Sequence, residues 1–350
     1  MTKETVIVTR IESWFEEVKN LKYSELIVVC DDNTALHCLP YFKEKYLPNQ
    51  TALELQVTSG EKNKTLDQVQ FLWSRLLDKH VSRNAVLICL GGGMVSDLAG
   101  FAANTYKRGI RTINVPTTNL AMTDASIGGK TGINFGHIKN QVGTFHFPEI
   151  VLIDCQFLES LSEKEIKSGY AETIKHALIA DPELWQNIQN NLWLEMAKNE
   201  ALILRSMRIK QRIFESDVND IGIRQALNFG HTIGHAFEAH SHQTQRPLLH
   251  GEAIALGIIA ESYLSMELCG LNPGEFQKIE RFITSLFDYS NFPVLDPKGC
   301  IEFMRNDKKN SSSVVRFSLI EKIGAPSIGV EVDESKIESA MAHIQSLIKP

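Results

Sequence analysis

Ala85-Val86-Leu87-Ile88-Cys89-Leu90 runs directly into Gly91-Gly92-Gly93, and Asp97-Leu98-Ala99-Gly100-Phe101-Ala102-Ala103 follows after three residues. The apolar run predicts a buried β-strand, and the later segment predicts a helix. Glycines let a backbone approach a ligand closely, and a helix N-terminus attracts anions, so this order is typical of a pyrophosphate site. Ser96 stands where the third glycine of the G-x-G-x-x-G fingerprint would be, and a purely structural tight turn remains an alternative.

Short apolar runs of the same kind recur on both sides of this turn. A helical pattern also lies between two of them, since residues 64–79 carry apolar side chains at helical spacing. Continuous apolar strands that alternate with helices predict an α/β unit whose parallel sheet is covered on both faces. The other predicted strands are residues 6–8, 26–30, 53–57, 112–115 and 150–153.

The pattern becomes mainly helical after a domain boundary that we expect near residues 157–162. Ser162 and Glu165 form a capping-box sequence, and Asp181-Pro182 and Asn272-Pro273 each place a capping residue before a proline. The remaining predictions are amphipathic helices over 202–214 and 252–268, a hairpin of 314–320 with 327–332, and a last helix from Asp333. This last helix is expected to pack on its own domain or on a partner.

Composition limits the function classes. The 350 residues are 43% hydrophobic and 22% charged, which suits two globular domains or one large domain with a cap. The net charge of -6 argues against a general nucleic-acid binder. Six cysteines without a C-x-x-C motif, no apolar signal core at the N-terminus and no membrane-length apolar run favour a soluble cytoplasmic protein.

Three histidines mark a candidate metal site. His231 and His235 are four residues apart and would share one face of a helix, and His250 follows a short way downstream. Neutral imidazole is a common metal ligand, whereas satisfied core or surface histidines are the alternative. No HExxH motif is present, because Glu does not follow His231. A further ligand would be a carboxylate from elsewhere, a water or a substrate oxygen.

Polar residues follow the next strand as well. Thr117-Thr118 would lie at the carboxyl end of a parallel strand, where ligands bind. Residues 124–132 contain Gly-Lys-Thr but fail the P-loop pattern, because Asp124 stands where Gly is required. We interpret them as a glycine loop that presents Asp124 and Lys130. If the scattered cations converge near the metal, the substrate is a small polyanion; they are Arg108, Lys130, Lys139, Lys175, Lys210, Arg224 and Lys308.

Taken together, these motifs resemble the 3-dehydroquinate synthase family of the sugar phosphate cyclase superfamily, over roughly residues 25–330. The stretches that carry the resemblance are Gly91-Gly92-Gly93 with Asp97-Leu98-Ala99-Gly100, Val115-Pro116-Thr117-Thr118, Gly128-Gly129-Lys130-Thr131-Gly132-Ile133-Asn134, Ala171-Glu172, Leu227-Asn228-Phe229-Gly230-His231-Thr232 and His250-Gly251-Glu252. The resemblance implies a Rossmann-like NAD-binding domain (1–160), a mainly α-helical metal- and substrate-binding domain (161–350), and a homodimer.

The resemblance also assigns the site residues. One divalent metal, zinc or cobalt, would be held by Glu172, His231 and His250, and His235 becomes a catalytic residue rather than a ligand. The substrate carboxylate and hydroxyls would meet Lys130, Lys210, Arg224 and Asn228; the phosphate would meet Asn140, Lys175, Lys308 and, from the neighbouring subunit, Arg108. NAD would be lined by Asp31, Asn33, Glu61, Lys64, Gly92, Gly93, Asp97, Thr117, Thr118, Asp124, Lys139, Phe157, Ser160 and Glu165.

The implied reaction belongs to the shikimate pathway of aromatic amino acid biosynthesis. A carbon–oxygen lyase would convert 3-deoxy-D-arabino-heptulosonate 7-phosphate to 3-dehydroquinate and phosphate, by NAD-dependent transient oxidation, phosphate elimination, reduction and intramolecular aldol closure. The alternatives are another sugar phosphate cyclase, a metal-dependent alcohol or glycerol dehydrogenase, and a non-catalytic binding paralogue. Lys210, Arg224, Asn228 and His235 suit a substrate carboxylate and argue against the first of these.

Overall fold

A computed structural model of the chain describes residues 5–136, 138–217, 220–244, 246–289, 296–305 and 315–348. The chain divides into two compact units, Met1–Ser162 and Glu163–Pro350. Each unit has its own buried core, and each contributes its own set of candidate functional residues.

The described part of the first unit contains a six-stranded parallel sheet. Its strands are β1 (Val6–Val8), β2 (Leu26–Asp31), β3 (Ala52–Val57), β4 (Val86–Gly91), β5 (Arg111–Pro116) and β8 (Ile150–Leu152). Their order in the sheet is β1-β8-β5-β4-β2-β3. All six strands had been predicted, β3 from alternating apolar and polar residues and the others from apolar runs, and the parallel arrangement confirms the α/β class. The central strands β2 and β4 are buried along their whole length, as the continuous apolar pattern requires.

Helices connect these strands, and α4 (Leu66–Asp78) confirms the helix predicted over residues 64–79. The chain runs from β2 outward to β3 and from β4 in the opposite direction to β5, so the strand order reverses between β2 and β4. Ligands of open parallel sheets bind at such a reversal, beyond the carboxyl ends of the strands. The helices are α1 (Ile11–Asn20), α2 (Asp32–His37), α3 (Leu39–Tyr46), α4 (Leu66–Asp78) and α5 (Gly93–Thr105).

An antiparallel hairpin of β6 (Lys130–Phe135) and β7 (Ile138–Phe145) corrects the loop predicted over 124–132. The turn ends at Gly129, which has a φ of 68°, and Lys130 already begins a strand. Gly132 and Gly143 pair across the hairpin, where a Cβ on Gly143 would lie 2.2 Å from the Thr131 carbonyl oxygen. Gly132, one of the glycines that suggested a loop, therefore allows two strands to approach closely.

The second unit is mainly helical, as predicted. Asp181 and Asn272 each cap the helix that begins at the following proline, with side-chain oxygens accepting from Leu184 N–H and Gly274 N–H. Its elements are α6 (Glu163–Ala180), α7 (Pro182–Asn190), α8 (Trp193–Lys198), α9 (Glu200–Ser216), α10 (His231–Ser241), α11 (His250–Leu268), α12 (Pro273–Leu286), α13 (Pro297–Arg305), the hairpin β9 (Val315–Lys322) with β10 (Ala325–Val332), and α14 (Glu334–Ile348).

Helix α11 forms the centre of this unit, and its predicted amphipathic character was wrong. Residues 251–262 are all buried, because α6, α10, α12, α14 and β9 pack around the helix. The final helix α14 packs on α11, so of the two predicted possibilities it packs on its own domain. Within the described residues, no helix combines the length and the apolarity needed to cross a membrane.

Candidate functional site

Helix α6 carries a buried ion pair. Glu172 and Lys175 lie one helical turn apart, and Lys175 Nζ is 2.5 Å from Glu172 Oε2. Both side chains are almost completely buried. Buried charges are rare, and even a paired one costs desolvation energy, so we expect this pair to have a functional role.

Two of the three histidines lie against the same carboxylate, and the third lies beside them. His231 Nε2 and His250 Nε2 lie 3.4 and 3.3 Å from Glu172 Oε1. The His231 and His235 rings are 5.0 Å apart, which confirms that the four-residue spacing places them on one helix face. Each of the three histidines offers a ring nitrogen within 4.8 Å of those of the other two. His235 is the most exposed of them.

Hydrogen bonds and nearby charges orient His231 and Glu172. His231 Nδ1 lies 3.2 Å from the Phe229 carbonyl oxygen, and because a carbonyl can only accept, Nδ1 carries the proton. Burial and the nearby Lys175 charge lower the pKa of His231, whereas the Glu172 carboxylate beside its Nε2 opposes that shift. Burial opposes ionisation of Glu172, but Lys175 and then His231 hold its pKa well below the ordinary value. Glu172 therefore stays an ionised carboxylate beside two imidazoles, as a metal ligand requires.

His250 lies between two carboxylates. Its Nδ1 is 3.1 Å from Glu238 Oε2, and its Nε2 points at Glu172. Burial alone would lower its pKa, but the hydrogen bonds to Glu172 and Glu238 raise it to about 10. A divalent cation could take the place of the Nε2 proton while Glu238 keeps the Nδ1 proton in position.

The donor set fits a small divalent ion. Two ligand atoms bound to zinc at about 2.05 Å with a tetrahedral angle lie about 3.3 Å apart. The two nitrogen–oxygen distances of 3.4 and 3.3 Å are close to this separation. One carboxylate and two imidazoles also form a typical three-residue set for catalytic zinc or cobalt, which leaves a fourth position open to water or substrate.

Glycines bring the ligand-bearing helices together. Gly251 follows His250 directly, and its N–H donates to Ser168 Oγ of α6 at 3.0 Å. A Cβ on Gly251 would lie only 1.9 Å from the Ser168 carbonyl oxygen. Only glycine therefore allows α6 and α11 to cross at a distance where Glu172 can meet His250.

Cationic and amide side chains lie on the neighbouring elements of the same unit. Arg224 and Asn228 belong to a 3-10 segment, Ile223–Asn228, that packs against α9, which carries Lys210. Arg224 is buried, with its guanidinium over the Phe214 ring at 4.6 Å. Asp217 organises this segment by accepting from the backbone N–H groups of Ile221, Gly222 and Arg224.

A second group of candidates lies in the first unit, where β4 ends. Gly92 and Gly93 begin α5 beside the loop that follows β5, and Thr117 N–H donates to the Gly91 carbonyl at 3.1 Å. A Cβ on Gly92 would be 3.0 Å from Thr118 Cγ2, and one on Gly93 would be 3.2 Å from Ala125 Cβ. The glycines therefore keep the helix N-terminus and the threonine loop in close contact at the point where the strand order reverses. This geometry fits a dinucleotide pyrophosphate.

Buried Lys64 joins the acidic and amide residues of this unit. Its Nζ lies 3.0 Å from Asp97 Oδ2, 3.2 Å from Glu61 Oε1 and 2.6 Å from Asn140 Oδ1. Burial would lower its pKa, but Asp97 and Glu61 raise it, so the ammonium stays charged. The Lys64 ammonium thus links Glu61, Asp97 and Asn140, which are distant from one another in sequence.

Comparisons with known proteins identify the family. The model of the 3-dehydroquinate synthase N-terminal domain matches residues 54–168, and that of the C-terminal domain matches residues 169–310. A 3-dehydroquinate synthase from Parabacteroides distasonis is 40% identical over 342 residues, covering 96% of each chain. The chain belongs to the 3-dehydroquinate synthase family.

Solved structures show the same fold at lower identity. The 2-epi-5-epi-valiolone synthase of Streptomyces hygroscopicus, with NAD+ and Zn2+ bound, aligns with a TM-score of 0.85 at 24% identity, covering 99% of this chain and 97% of that one. A 2-deoxy-scyllo-inosose synthase complexed with carbaglucose-6-phosphate, NAD+ and Co2+ gives 0.84 at 22%, covering 97% and 96%. These likenesses establish the two-part α/β architecture.

The structure also places the other residues that the family resemblance assigned. Asp31 ends β2, where its carboxylate accepts from Thr34 N–H at 2.8 Å and caps α2, and Asn33 is exposed on that helix. Phe157 is buried against Tyr41, with Ser160 Oγ donating to its carbonyl. Lys130 and Lys139 are exposed on the β6–β7 hairpin, Asp124 lies in a π-helical turn, Arg108 follows α5, and Glu165 is in the first turn of α6. Lys308 lies outside the described residues.

Sequence reasoning missed three carboxylates in this 3-dehydroquinate synthase fold. Glu238 holds His250, Asp217 holds the segment of Arg224, and Glu261 contacts the start of α10. No local motif marks them. Glu238 does lie three residues after His235 on the same helix, which is a spacing that could have singled it out.

Proposed function

We propose that this chain is a 3-dehydroquinate synthase that converts 3-deoxy-D-arabino-heptulosonate 7-phosphate to 3-dehydroquinate and phosphate. The observation that carries the proposal is the convergence of Glu172, His231 and His250 in a member of this family. A sugar phosphate substrate agrees with the relatives named for this activity. The substrate's phosphate and carboxylate would account for the number of cationic candidates.

The second unit would bind the metal and the substrate. Glu172, His231 and His250 would hold one zinc or cobalt ion, which supplies Lewis-acid stabilisation of a substrate oxygen when bound. Lys210, Arg224, Asn228 and Lys130 would bind the substrate carboxylate and hydroxyls. His235, exposed beside the ligands, would move a proton at its ring nitrogen. Lys175, with three N–H donors, would neutralise Glu172 and bind the phosphate, together with Asn140, Arg108 and Lys308.

The first unit would bind NAD+, which supplies a hydride acceptor that also returns the hydride. Gly92, Gly93 and the N-terminus of α5 would bind the pyrophosphate, with Thr117 and Thr118 beside them. The Lys64 cluster would shape one wall, and its ammonium would orient the Glu61 and Asp97 carboxylates. Asp31, Asn33, Asp124, Lys139, Phe157, Ser160 and Glu165 would complete the site. Homodimer formation, the neighbouring-subunit role of Arg108 and a cytoplasmic location stay predictions.

Replacing Lys64 with methionine is expected to destabilise the first unit by about 3 kcal/mol, because a buried charged cluster loses its shared cation. NAD+ binding should weaken at least tenfold, which corresponds to about 1.4 kcal/mol. Urea unfolding and NAD+ titration would measure both effects. The matched control is Lys43→Met, which removes an exposed ion pair with Glu54 and should cost less than about 1 kcal/mol. Equal stability of the two variants would contradict the prediction.

The proposed activity is tested by phosphate release from the heptulosonate 7-phosphate with purified protein. Release should require catalytic NAD+ and a divalent metal, should stop after chelation, and should accumulate no NADH. Sedoheptulose 7-phosphate, which lacks the carboxylate, serves as the control substrate and should release no phosphate. Turnover of the control substrate alone, or stoichiometric NADH from a simple alcohol, would contradict the proposal.

A further inference from the structure

Glu261 is a fully buried carboxylate that neither the metal set nor the substrate set uses. It lies on α11 and points at the beginning of α10, the helix of His231 and His235. Its Oε2 accepts from Gly230 N–H at 2.6 Å, and its Oε1 accepts from Ile233 N–H at 3.0 Å. Gly230 is the N-cap of α10, so one distant side chain satisfies two N–H groups of the helix start.

The two helices are in direct backbone contact at this point. Gly257 lies one turn before Glu261 on α11, and a Cβ there would be 1.9 Å from the Gly230 carbonyl oxygen. Gly230 itself has a φ of 79° and would place a Cβ 2.6 Å from Ile258 Cγ1. This close approach is what allows the Glu261 carboxylate to reach the N-terminus of α10, where the helix dipole also favours a negative charge.

The peptide group between Phe229 and Gly230 connects Glu261 to a metal ligand. Its N–H donates to Glu261, and its carbonyl oxygen accepts the proton of His231 Nδ1. A peptide is planar, so holding its N–H also fixes the direction of its C=O. A hydrogen bond from the N–H to a carboxylate further strengthens the carbonyl as an acceptor. The neighbouring ligand His250 has a direct carboxylate partner on Nδ1, namely Glu238.

We infer that Glu261 is a positioning residue for His231, acting through the Phe229–Gly230 peptide as a carboxylate–peptide–histidine relay. The relay keeps the proton on Nδ1 and turns Nε2 towards Glu172 and the metal. Helix α11 therefore supplies His250 as a ligand and also orients the helix that carries His231. The inference rests on the proposed function, since it takes His231 as a metal ligand.

The test compares wild-type protein with Glu261→Gln, which has the same shape but only one acceptor oxygen. Co2+ affinity, measured by competition with a chromogenic chelator, should fall about ten- to hundredfold, as is typical when the partner of a ligating histidine is lost. The visible d–d spectrum of the Co2+-loaded variant should also shift. The matched control is Glu267→Gln on the same helix, an exposed residue paired with Lys336, which should behave as wild type.

A second measurement needs no variant. In the metal-free wild type, 15N NMR of the His231 ring should show a proton on Nδ1, because that nitrogen faces the Phe229 carbonyl oxygen. Wild-type Co2+ affinity and spectrum in Glu261→Gln, or a bare Nδ1 in the wild type, would overturn the role of Glu261. Failure of the wild type itself to bind Co2+ would overturn the proposed metal site, which distinguishes the two failures.

Discussion

Replacing Glu172 with glutamine is expected to lower phosphate release at least about thousandfold, which corresponds to about 4 kcal/mol of lost stabilisation. The amide cannot carry the negative charge that offsets a divalent ion, and it brings an N–H₂ group close to two imidazole nitrogens. Metal affinity should fall in parallel. Phosphate release at saturating substrate and Co2+ competition would measure both quantities.

The same substitution leaves the buried Lys175 ammonium without its carboxylate at 2.5 Å, which would destabilise the fold by itself. The double variant Glu172→Gln/Lys175→Met separates the two effects, because it removes both charges. It should regain stability relative to the single variant, while its metal affinity stays low. The matched single control is Glu183→Gln, which changes an exposed carboxylate paired with Arg205. Metal binding by the double variant at wild-type affinity would contradict the ligand assignment.

Replacing Gly251 with alanine is expected to cost about 3 kcal/mol or more of stability, because its methyl group would overlap the Ser168 carbonyl. Backbone atoms cannot rotate away as a side chain can, so α6 and α11 must separate. The midpoint of thermal unfolding should fall by about 6–12 °C. Metal affinity should fall as well, because Glu172 and His250 lie on the two helices that separate.

The matched control is Gly274→Ala in α12 of the same unit. Its Cβ would meet only the side-chain oxygen of Asn272, at 3.0 Å, which caps α12 and would have to shift slightly. The higher helix propensity of alanine offsets part of that loss, so stability should stay within about 1 kcal/mol of wild type. Calorimetry of both metal-free variants would compare their unfolding temperatures. Equal unfolding temperatures would show that the helix crossing tolerates a side chain.

The parallel sheet could be predicted because its signals are local. Each central strand is buried on both faces, so its residues are apolar without interruption, as in β4 (Val86–Gly91). The caps of α7 and α12 could be predicted for the same reason, since Asp181 and Asn272 bond to residues only two or three positions away.

The candidate metal site could be predicted only in part from spacing. The i, i+4 rule correctly placed His231 beside His235, but it offered His235 as a ligand and gave no sign of Glu172, which is 78 residues from His250. Only the resemblance to a known family supplied that carboxylate. Glu261 was not predicted for a similar reason, because its hydrogen-bond partners are 31 and 28 residues away.

Two predictions failed because glycines occur in paired strands as well as in loops, and polar residues can be buried as well as exposed. Gly132 was interpreted as part of a loop, although it pairs with Gly143 and allows two strands to approach closely. Helix α11 was predicted to be amphipathic, yet its polar residues Glu261 and Ser265 do not face solvent. Both are buried and bond to neighbouring elements, with Ser265 Oγ accepting from Ile320 N–H at 3.1 Å.

The wide separation of the proposed ligands along the chain also matters for protein synthesis. At about 5–20 residues per second, a ribosome would add His250 about 4–16 s after Glu172. Lys175 follows Glu172 by only three residues and needs no later segment to reach it. The nascent chain would therefore carry its own counter-ion for this carboxylate from the first turn of helix onward. Metal loading would have to wait until α11 has left the ribosome.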